Sequence, residues 1–330
     1  MIRKIIVYIF AFVSICLILP VLLVKDKPTE DVVKLDGEVA GTKEVKNSIA
    51  NNPTIKLLHL STGEVEEIDL EIYLYGVVSA EMPATYHEEA LKTQAIVART
   101  YTMYKIKNEP KHDNADICDT STCCQAYITK EERLAKWKEE EREANWNRII
   151  EAVDSTKGKV ITYNGEVINA FFHANSGGKT EIASNVWGGK DYPYLQVVST
   201  EGETEYTQYS STVILSKEEL LEKLKENHPD IQIDFNNENA IEILEYTEGE
   251  RVKTVRFGNI EISGVEARQT FGLKSANFDL VFGENIIFNV RGYGHGVGLS
   301  QTGANSMAKE NKNYEEIIKH FYSGVEIQNI

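Results

Sequence analysis

The sequence feature that most restricts the fold is an uncharged, apolar run near the start of the chain, from Ile5 to Val24. A run of about 20 apolar residues is long enough to cross a bilayer as a helix. Arg3 and Lys4 precede the run, and Lys25 follows it. A cleavable signal peptide is the alternative, but no small-residue cleavage site follows the run. We therefore expect an uncleaved transmembrane signal anchor over residues 1–25, with a short cytoplasmic tail.

The rest of the chain is expected outside the cytoplasm, because a domain that follows an anchor with so short a leading tail is normally translocated. Residues 26–51 are polar, contain Pro28 and lack apolar periodicity, which is typical of a flexible tether. Residues 52–330 then form the folded part. The formal net charge of −16 argues against a nucleic-acid partner, since phosphate contacts require clustered Lys and Arg.

Short apolar runs separated by turn residues predict β-hairpins in the folded part. Ile55–Leu60 and Val65–Leu70 flank a Ser-Thr-Gly turn, and Asn164-Gly165 is the strongest two-residue hairpin signal in the chain. The region 213–288 is predicted to contain one helix and several short strands. Together with the helices, this pattern predicts an α+β domain with one or two lobes and a cleft formed by distant segments.

Helix signals surround a proline in the first part of the domain. Thr85, with Glu88 three residues later, is typical of a capping box. Met82-Pro83 interrupts the helical pattern, because the residue before a proline is pushed out of the helical region. Glu81 therefore lies at a break between two helices, where a side chain can point into a cleft. The apolar spacing predicts helices over Tyr73–Ala80, Thr85–Lys107, Lys130–Ser155 and Lys217–Glu226.

Several stretches concentrate polar residues and glycines beyond what packing requires. They are Tyr73–Pro83 with Glu89–Tyr101, Asp116–Gln125, Phe171–Leu195 and Arg291–Ala304. In this order they resemble the motifs of the stage II sporulation protein D family, lytic transglycosylases that spore-forming bacteria use in engulfment. The resemblance spans nearly the whole chain, including the N-terminal anchor.

The resemblance implies a membrane-anchored peptidoglycan lytic transglycosylase whose acid is the glutamate of a Glu-Met-Pro motif, here Glu81. Most glycosidases pair two carboxylates. A lytic transglycosylase instead uses the C6 hydroxyl of the N-acetylmuramic acid as the nucleophile, so one carboxyl group serves as acid and then as base. Its pKa must be raised toward the working pH, which a partly apolar pocket achieves. The expected product is a 1,6-anhydro end.

The resemblance also implies roles for residues away from Glu81. Arg99 is expected to bind the lactyl carboxylate of muramic acid or to orient Glu81, and Tyr194 to bind the N-acetyl group or line a subsite. The chain departs from the family at Gln196, where lysine is favoured, so a charged contact does not carry over to that position. Residues expected to line the wall of the substrate cleft are His173, Ser176, His295 and Gln301.

The cysteines predict a metal site. Cys16 lies in the apolar run, which leaves Cys118, Cys123 and Cys124 in the folded part. With His112 they supply the four nitrogen and sulfur ligands of a tetrahedral zinc site. Some family members bind zinc in this loop through two cysteines and two histidines. We favour a structural zinc over a disulfide of Cys118, and a closed four-ligand site leaves no position for an activated water.

Two other functions stay open at this point. One is a non-catalytic glycan-binding protein of the same fold, since the wider family includes amidase enhancers. The other is a zinc amidase or peptidase, which requires an open metal position. The resemblance further implies denuded glycan strands as substrate and a place in the mother-cell membrane facing the forespore septum. It also implies two partners, the amidase stage II sporulation protein P and the membrane scaffold stage II sporulation protein M.

Overall fold

The computed structural model describes residues 53–330. The predicted anchor over residues 1–25 and the predicted tether over residues 26–51 lie outside the described residues. Within residues 53–330, no helix combines the length and the apolar composition that crossing a membrane requires. The described part mixes helices with small sheets, which confirms the α+β class.

The described chain contains one long helix of 21 residues, several shorter helices and many short strands. The helices are α1 (Leu70–Glu81), α2 (Glu88–Asn108), α3 (Lys130–Lys136), α4 (Arg142–Asp154), α5 (Ala183–Trp187), α6 (Lys217–Lys225), α7 (Gly264–Phe271), α8 (Gln301–Lys309) and α9 (Tyr314–Phe321). The strands are β1 (Thr54–Leu58), β2 (Val65–Asp69), β3 (Ile117–Cys118), β4 (Lys159–Tyr163), β5 (Glu166–Val167), β6 (Phe172–His173), β7 (Ser210–Leu215), β8 (Ile241–Tyr246), β9 (Val252–Phe257), β10 (Ile260–Ser263), β11 (Asn277–Phe282), β12 (Ile286–Arg291), β13 (Leu299–Ser300) and β14 (Glu326–Asn329).

Two hydrophobic cores divide residues 53–330 into two lobes. The first core surrounds α2 and draws side chains from α1, α4, β4, α8 and α9; we call this part the helical lobe. The second core fills the space between strands β7 to β12 and helices α6 and α7; we call residues 210–291 the sheet lobe. Its two sheets have strand orders β10-β9-β8 and β11-β12-β7 and are antiparallel. The sheet lobe is thus an insertion in the chain of the helical lobe.

Both predicted hairpins of the helical lobe are confirmed. β1 and β2 pair antiparallel with Leu58 opposite Val65. β4 and β5 are joined at Asn164-Gly165, whose φ angles of 52° and 82° are both positive. A two-residue hairpin turn of this kind requires that conformation, and asparagine and glycine adopt it readily.

One short parallel pairing joins distant segments of the chain. β6 pairs with β13, so that Phe172 lies beside Leu299 and His173 beside Ser300. This pairing brings the stretch that begins at Phe171 against the glycine-rich stretch that ends at Ala304. The two predicted motifs therefore share one edge of the helical lobe.

The position of Glu81 follows from local rules of helix formation. Asp69 caps α1, since its carboxylate accepts hydrogen bonds from the amides of Glu71 at 2.8 Å and Ile72 at 3.2 Å. Met82 ends the helix in an extended conformation, with φ −122° and ψ 144°, as expected for the residue before Pro83. The structure confirms that Glu81 lies at the break between two helices.

Two helix predictions were wrong in detail, and some helices were not predicted. The N-cap of α2 is His87 rather than Thr85, because the ring nitrogen of His87 accepts from the amide of Glu89. The predicted single helix over Lys130–Ser155 breaks at Trp137, which is extended. The acidic run that follows Trp137 forms a short 3-10 turn. Helix α7 was not predicted at all.

The buried Arg99 joins several elements of the helical lobe. Its side chain is fully buried and forms two hydrogen bonds with the carboxylate of Glu71, one of them from Nε at 2.9 Å. The guanidinium also donates to the carbonyl oxygens of Lys159 at 3.2 Å and Val153 at 3.4 Å. The start of α1, the middle of α2, the end of α4 and the start of β4 are therefore held by one guanidinium group.

Replacing Arg99 by glutamine is expected to lower the free energy of unfolding by about 3–5 kcal/mol, because the Glu71 carboxylate would stay buried without its partner. Equilibrium unfolding in urea measures the change. Lys107→Gln on the same helix is the matched control, since its ion pair with Glu166 is exposed and is worth at most about 1 kcal/mol. Equal effects of the two substitutions would contradict the structural role assigned to Arg99.

Candidate active site

A cleft of about 660 Å³ lies where the end of α1 meets the paired β6 and β13 edge. Both lobes contribute to it, since Arg268 of α7 lines the cleft together with residues of the helical lobe. Of the predicted site residues, the lining contains Glu81, His173, His295, Gln301 and two of the predicted metal ligands, Cys123 and Cys124. The structure therefore brings most of the predicted site together.

The carboxyl group of Glu81 is half-buried and held by two hydrogen bonds. Oε1 accepts from the backbone N–H of Ala126 at 2.8 Å, and Oε2 accepts from Nε2 of Gln301 at 3.3 Å. Burial raises the pKa of Glu81 above its ordinary value, although these two hydrogen bonds to the charged form oppose the shift. The group thus stays protonated to a higher pH than an exposed glutamate, which suits a proton donor.

Glu81 is the only carboxyl group in the lining of this cleft within the described part of the chain. A glycosidase that uses two carboxylates needs them about 5–9.5 Å apart on either side of the scissile bond. The cleft does not offer such a pair. Glu81 is therefore the carboxyl group of the described cleft that is placed to exchange a proton with a bound ligand.

Two neutral histidines form one wall of the cleft. Burial lowers the pKa of His173 to about 3 and holds the pKa of His295 well below its usual range. Nδ1 of His173 lies 3.2 Å from the carbonyl oxygen of Val297, so that nitrogen carries the proton and Nε2 is an acceptor. Nδ1 of His295 accepts from the amide of Val297 at 3.1 Å. The two rings therefore do not supply protons near neutral pH.

Exposed aromatic rings make the same wall suitable for sugar rings. Trp187 is 51% exposed, and its ring lies 4.6 Å from that of Phe171 and 5.0 Å from that of His295. Tyr293, at 43% exposure, also lines the cleft. An aromatic face that is apolar, rigid and open to solvent is a common platform for the apolar face of a sugar. Trp187 lies within the third sequence stretch, Phe171–Leu195, but it was not among the predicted site residues.

The structure does not bring Arg99, Tyr194 or Ser176 to the cleft. Arg99 is fully buried against Glu71, which corrects the prediction that it binds a substrate carboxylate. Tyr194 is buried as well, and its hydroxyl accepts a hydrogen bond from the amide of Asn169 at 3.0 Å. Arg99 and Tyr194 are therefore buried residues of the helical lobe, and neither lines the cleft. Gln196, the departure from the family pattern, is exposed and donates to the carbonyl oxygen of Pro193.

Ser176 instead belongs to a buried network around Glu203, a residue that no sequence motif marked as functional. Ser176 is fully buried, and its hydroxyl donates to Oε2 of Glu203 at 2.6 Å. The carboxylate of Glu203 also accepts hydrogen bonds at 2.7–3.1 Å from the backbone amides of Ser176 and Gly178 and from the hydroxyls of Thr200 and Thr302. The hydroxyl of Ser300 makes one shorter contact with it. One carboxylate thus fixes the third and fourth sequence motifs against each other.

The four predicted metal ligands are close together. The ligand atoms of His112, Cys118, Cys123 and Cys124 all lie within 4.8 Å of one another. Nε2 of His112 is 3.8 Å from Sγ of Cys123 and 3.7 Å from Sγ of Cys124, and the two sulfur atoms are 3.9 Å apart. A tetrahedral zinc with Zn–S bonds of about 2.3 Å requires ligand separations of roughly 3.8 Å. The three described cysteines are free thiols, so the donor set and its spacing fit zinc.

The fold and the cleft define a class: an α+β protein whose aromatic-lined cleft holds, among the described residues, one carboxyl group with a raised pKa. Comparison with known proteins gives this class a family. A family model described as "Stage II sporulation protein" matches residues 59–163, a range that holds Glu81 and the ligand cluster. The stage II sporulation protein D of Bacillus subtilis is 34% identical over 87% of this chain and 81% of its own length. The chain therefore belongs to the stage II sporulation protein D family.

Two further relatives extend the comparison. The stage II sporulation protein D of Bacillus amyloliquefaciens is 32% identical over 87% of this chain and 82% of its own length. A protein of Bacillus subtilis named amidase enhancer is 27% identical over 76% of this chain and 39% of its own length. The family is thus one of sporulation proteins whose wider relatives include an amidase enhancer.

Replacing Glu203 by glutamine is expected to lower the free energy of unfolding by about 3 kcal/mol, because the amide accepts fewer hydrogen bonds and each buried donor left unpaired costs about 1–3 kcal/mol. Thermal or urea unfolding measures the loss. Glu205→Gln, an exposed residue of the same turn, is the matched control and is expected to change stability by less than about 0.5 kcal/mol. An unchanged stability of the Glu203 variant would contradict the network.

Proposed function

We propose that this protein is a peptidoglycan lytic transglycosylase that cleaves the bond between N-acetylmuramic acid and N-acetylglucosamine during sporulation. The observation that carries the proposal is the half-buried carboxyl group of Glu81, the only carboxyl group in the cleft lining among the described residues. Glycan cleavage with one carboxyl group requires that the substrate supply its own nucleophile. The C6 hydroxyl of N-acetylmuramic acid is such a nucleophile.

The proposed reaction balances with Glu81 alone. The protonated carboxyl group donates to the glycosidic oxygen as the bond from that oxygen to C1 of the muramic residue breaks and positive charge builds at C1. The resulting carboxylate then accepts the proton of the C6 hydroxyl, whose oxygen bonds to C1. The products are a free 4-hydroxyl on N-acetylglucosamine and a 1,6-anhydro muramic end. Glu81 is restored to its protonated form, and no water is consumed.

Neighbouring side chains would hold Glu81 and the sugar in place. The amide of Ala126 and the side chain of Gln301 bind one carboxyl oxygen each, which fixes the orientation of the group. Trp187 offers an exposed ring face for stacking against the apolar face of a sugar. Positioning of this kind supplies a large part of the rate enhancement of an enzyme.

A non-catalytic amidase enhancer is the second candidate, favoured by the 27% identity to the protein of that name. The raised pKa of Glu81 supports the enzyme, because a residue that only binds glycan has no need of a proton held in a partly apolar site. A zinc amidase is disfavoured because the four predicted ligands would complete a tetrahedral site.

The membrane setting and the protein partners are also part of the proposal. The uncharged run Ile5–Val24 supports a single membrane anchor, with the catalytic domain outside the cytoplasm at the engulfing septum. Membership in the family supports action together with stage II sporulation protein P, an amidase that removes stem peptides, and stage II sporulation protein M.

We further propose that the ligand cluster holds a structural zinc ion through His112, Cys118, Cys123 and Cys124. Zinc would neutralise the thiolates and hold the loop closed. Ala126, whose amide binds Glu81, follows Cys124 by two residues. The ion would therefore stabilise the loop that orients the acid, without itself contacting the substrate.

Replacing Glu81 by glutamine is expected to reduce the release of 1,6-anhydro products from denuded glycan strands by at least about 100-fold, because the amide cannot donate and recover a proton. Mass spectrometry of the released sugars measures both yield and end group. Glu88→Gln, an exposed residue at the start of α2, is the matched control and should leave the yield unchanged. Reducing ends instead of anhydro ends would contradict a transglycosylase, and persistent anhydro products from the Glu81 variant would reject the assigned acid.

Replacing Cys118 by serine is expected to abolish a stoichiometric zinc content and to lower Tm by at least about 5 °C, because metal binding contributes directly to folding free energy. Elemental analysis and calorimetry measure the two quantities. Chelator treatment should lower the Tm of the unaltered protein and have no further effect on the variant. If the unaltered protein contained no zinc and its Tm did not change with the chelator, the proposed zinc site would be contradicted.

A further inference from the structure

The cleft has a charge opposite to that of the whole molecule. The chain carries a formal net charge of −16. The lining of the cleft nevertheless contains Lys105, Lys111 and Arg268, against the single carboxyl group of Glu81. A local excess of positive charge in an acidic protein attracts an anionic ligand.

The two lysines already have partners. Lys105 forms an ion pair with Glu109, and its ammonium lies 5.3 Å from the centre of the Tyr101 ring. Lys111 donates to the carbonyl oxygen of Cys123 at 2.6 Å. Both side chains are therefore committed to holding the loop and the helix that border the cleft.

Arg268 is different. Its side chain is half-buried, and within residues 53–330 its guanidinium has neither a hydrogen-bond acceptor nor an ion-pair partner. Burial lowers the pKa of Arg268, and the nearby Tyr293 opposes this shift only in part. A guanidinium that loses hydration without gaining a partner weakens the fold. Such a group fits a ligand site better than a structural role.

The location of Arg268 points to the same conclusion. It lies on α7 of the sheet lobe and borders the cleft beside Gly294 and His295. The other ionisable residue of that helix, Glu266, is instead paired with His228 at 2.6 Å. Arg268 is thus the cationic side chain through which the sheet lobe contributes to the cleft.

The proposed substrate offers one anionic group for this guanidinium. The sugar rings of a glycan strand are uncharged, and the lactyl group on C3 of N-acetylmuramic acid ends in a carboxylate only when no stem peptide is attached. With a peptide attached, the same carbon belongs to a neutral amide. Arginine donates two parallel N–H groups to the two oxygens of a carboxylate. An amide has only one oxygen and no charge, so it cannot accept both hydrogen bonds in this way.

We propose that Arg268 binds the lactyl carboxylate of N-acetylmuramic acid and thereby selects glycan strands that have lost their peptides. Arg268 is a specificity residue in this scheme and takes no part in proton transfer. This inference rests on the proposed glycan substrate, and it assigns to Arg268 the contact that the buried Arg99 does not make.

Binding to the otherwise complete protein carrying Glu81→Gln, which keeps the ligand intact, tests the inference. Isothermal titration with a peptide-free hexasaccharide of alternating N-acetylglucosamine and N-acetylmuramic acid is compared with chitohexaose, which has the same length and no lactyl group. Adding Arg268→Gln is expected to weaken binding of the first ligand about 10- to 100-fold, the loss of a charge-assisted hydrogen bond. Binding of chitohexaose should change less than about twofold.

Two further variants complete the test. Arg268→Lys keeps the charge without the two-donor geometry and should give an intermediate loss, still confined to the ligand with the carboxylate. If the Arg268→Gln variant does not fold, the binding comparison is made with Arg268→Lys instead. Arg256→Gln, an exposed residue of the same lobe paired with Glu242, is the control and should bind both ligands normally.

Equal losses for both ligands, or no loss for the ligand with the carboxylate, would overturn the role of Arg268. The binding result for Arg268 does not depend on whether the protein cleaves the glycan. A selective loss in binding, together with an unaltered protein that releases no anhydro products, would reject the transglycosylase while leaving the carboxylate contact in place.

Discussion

The geometry of the cleft depends on a single buried carboxylate, that of Glu203. It accepts hydrogen bonds from the backbone turn at Ser176 and from hydroxyl groups at the start of α8. These segments are more than 100 residues apart in the chain, and the sheet lobe is inserted between them. By tying them together, Glu203 fixes the β6 and β13 pairing, and with it the positions of His173 and Gln301 relative to Glu81.

Glu81 is positioned from three independent directions. The proline at position 83 ends α1, so that the carboxyl group lies at a helix end. The loop that carries Cys123 and Cys124 presents the amide of Ala126, and α8 presents Gln301. Each contact stabilises the carboxylate, yet burial outweighs them and raises the pKa of Glu81. The proposed proton donor is therefore oriented by groups that also limit how far its pKa rises.

Features that obey local rules could be predicted from the sequence. The helix break before Pro83, the Asn164-Gly165 turn and the cysteine-rich ligand cluster each depend on neighbouring residues. Features set by tertiary burial could not. Arg99 was expected in the cleft, but its partner Glu71 lies 28 residues away, and nothing local indicated the pair. Helix α7 has only eight residues and begins with a glycine, so its sequence pattern is weak despite the cap formed by Ser263 and Glu266. Because the helix was not predicted, Arg268 was not recognised as a site residue.

The most direct test of Glu81 as the proton donor is a crystal structure of the Glu81→Gln variant with a peptide-free glycan oligosaccharide. The proposed mechanism predicts the oxygen linking N-acetylmuramic acid to N-acetylglucosamine within about 2.6–3.2 Å of the side chain at position 81. It also predicts the C6 hydroxyl of the same muramic residue close to that side chain. A glycan bound in the cleft with every glycosidic oxygen beyond hydrogen-bond reach of position 81 would contradict the mechanism.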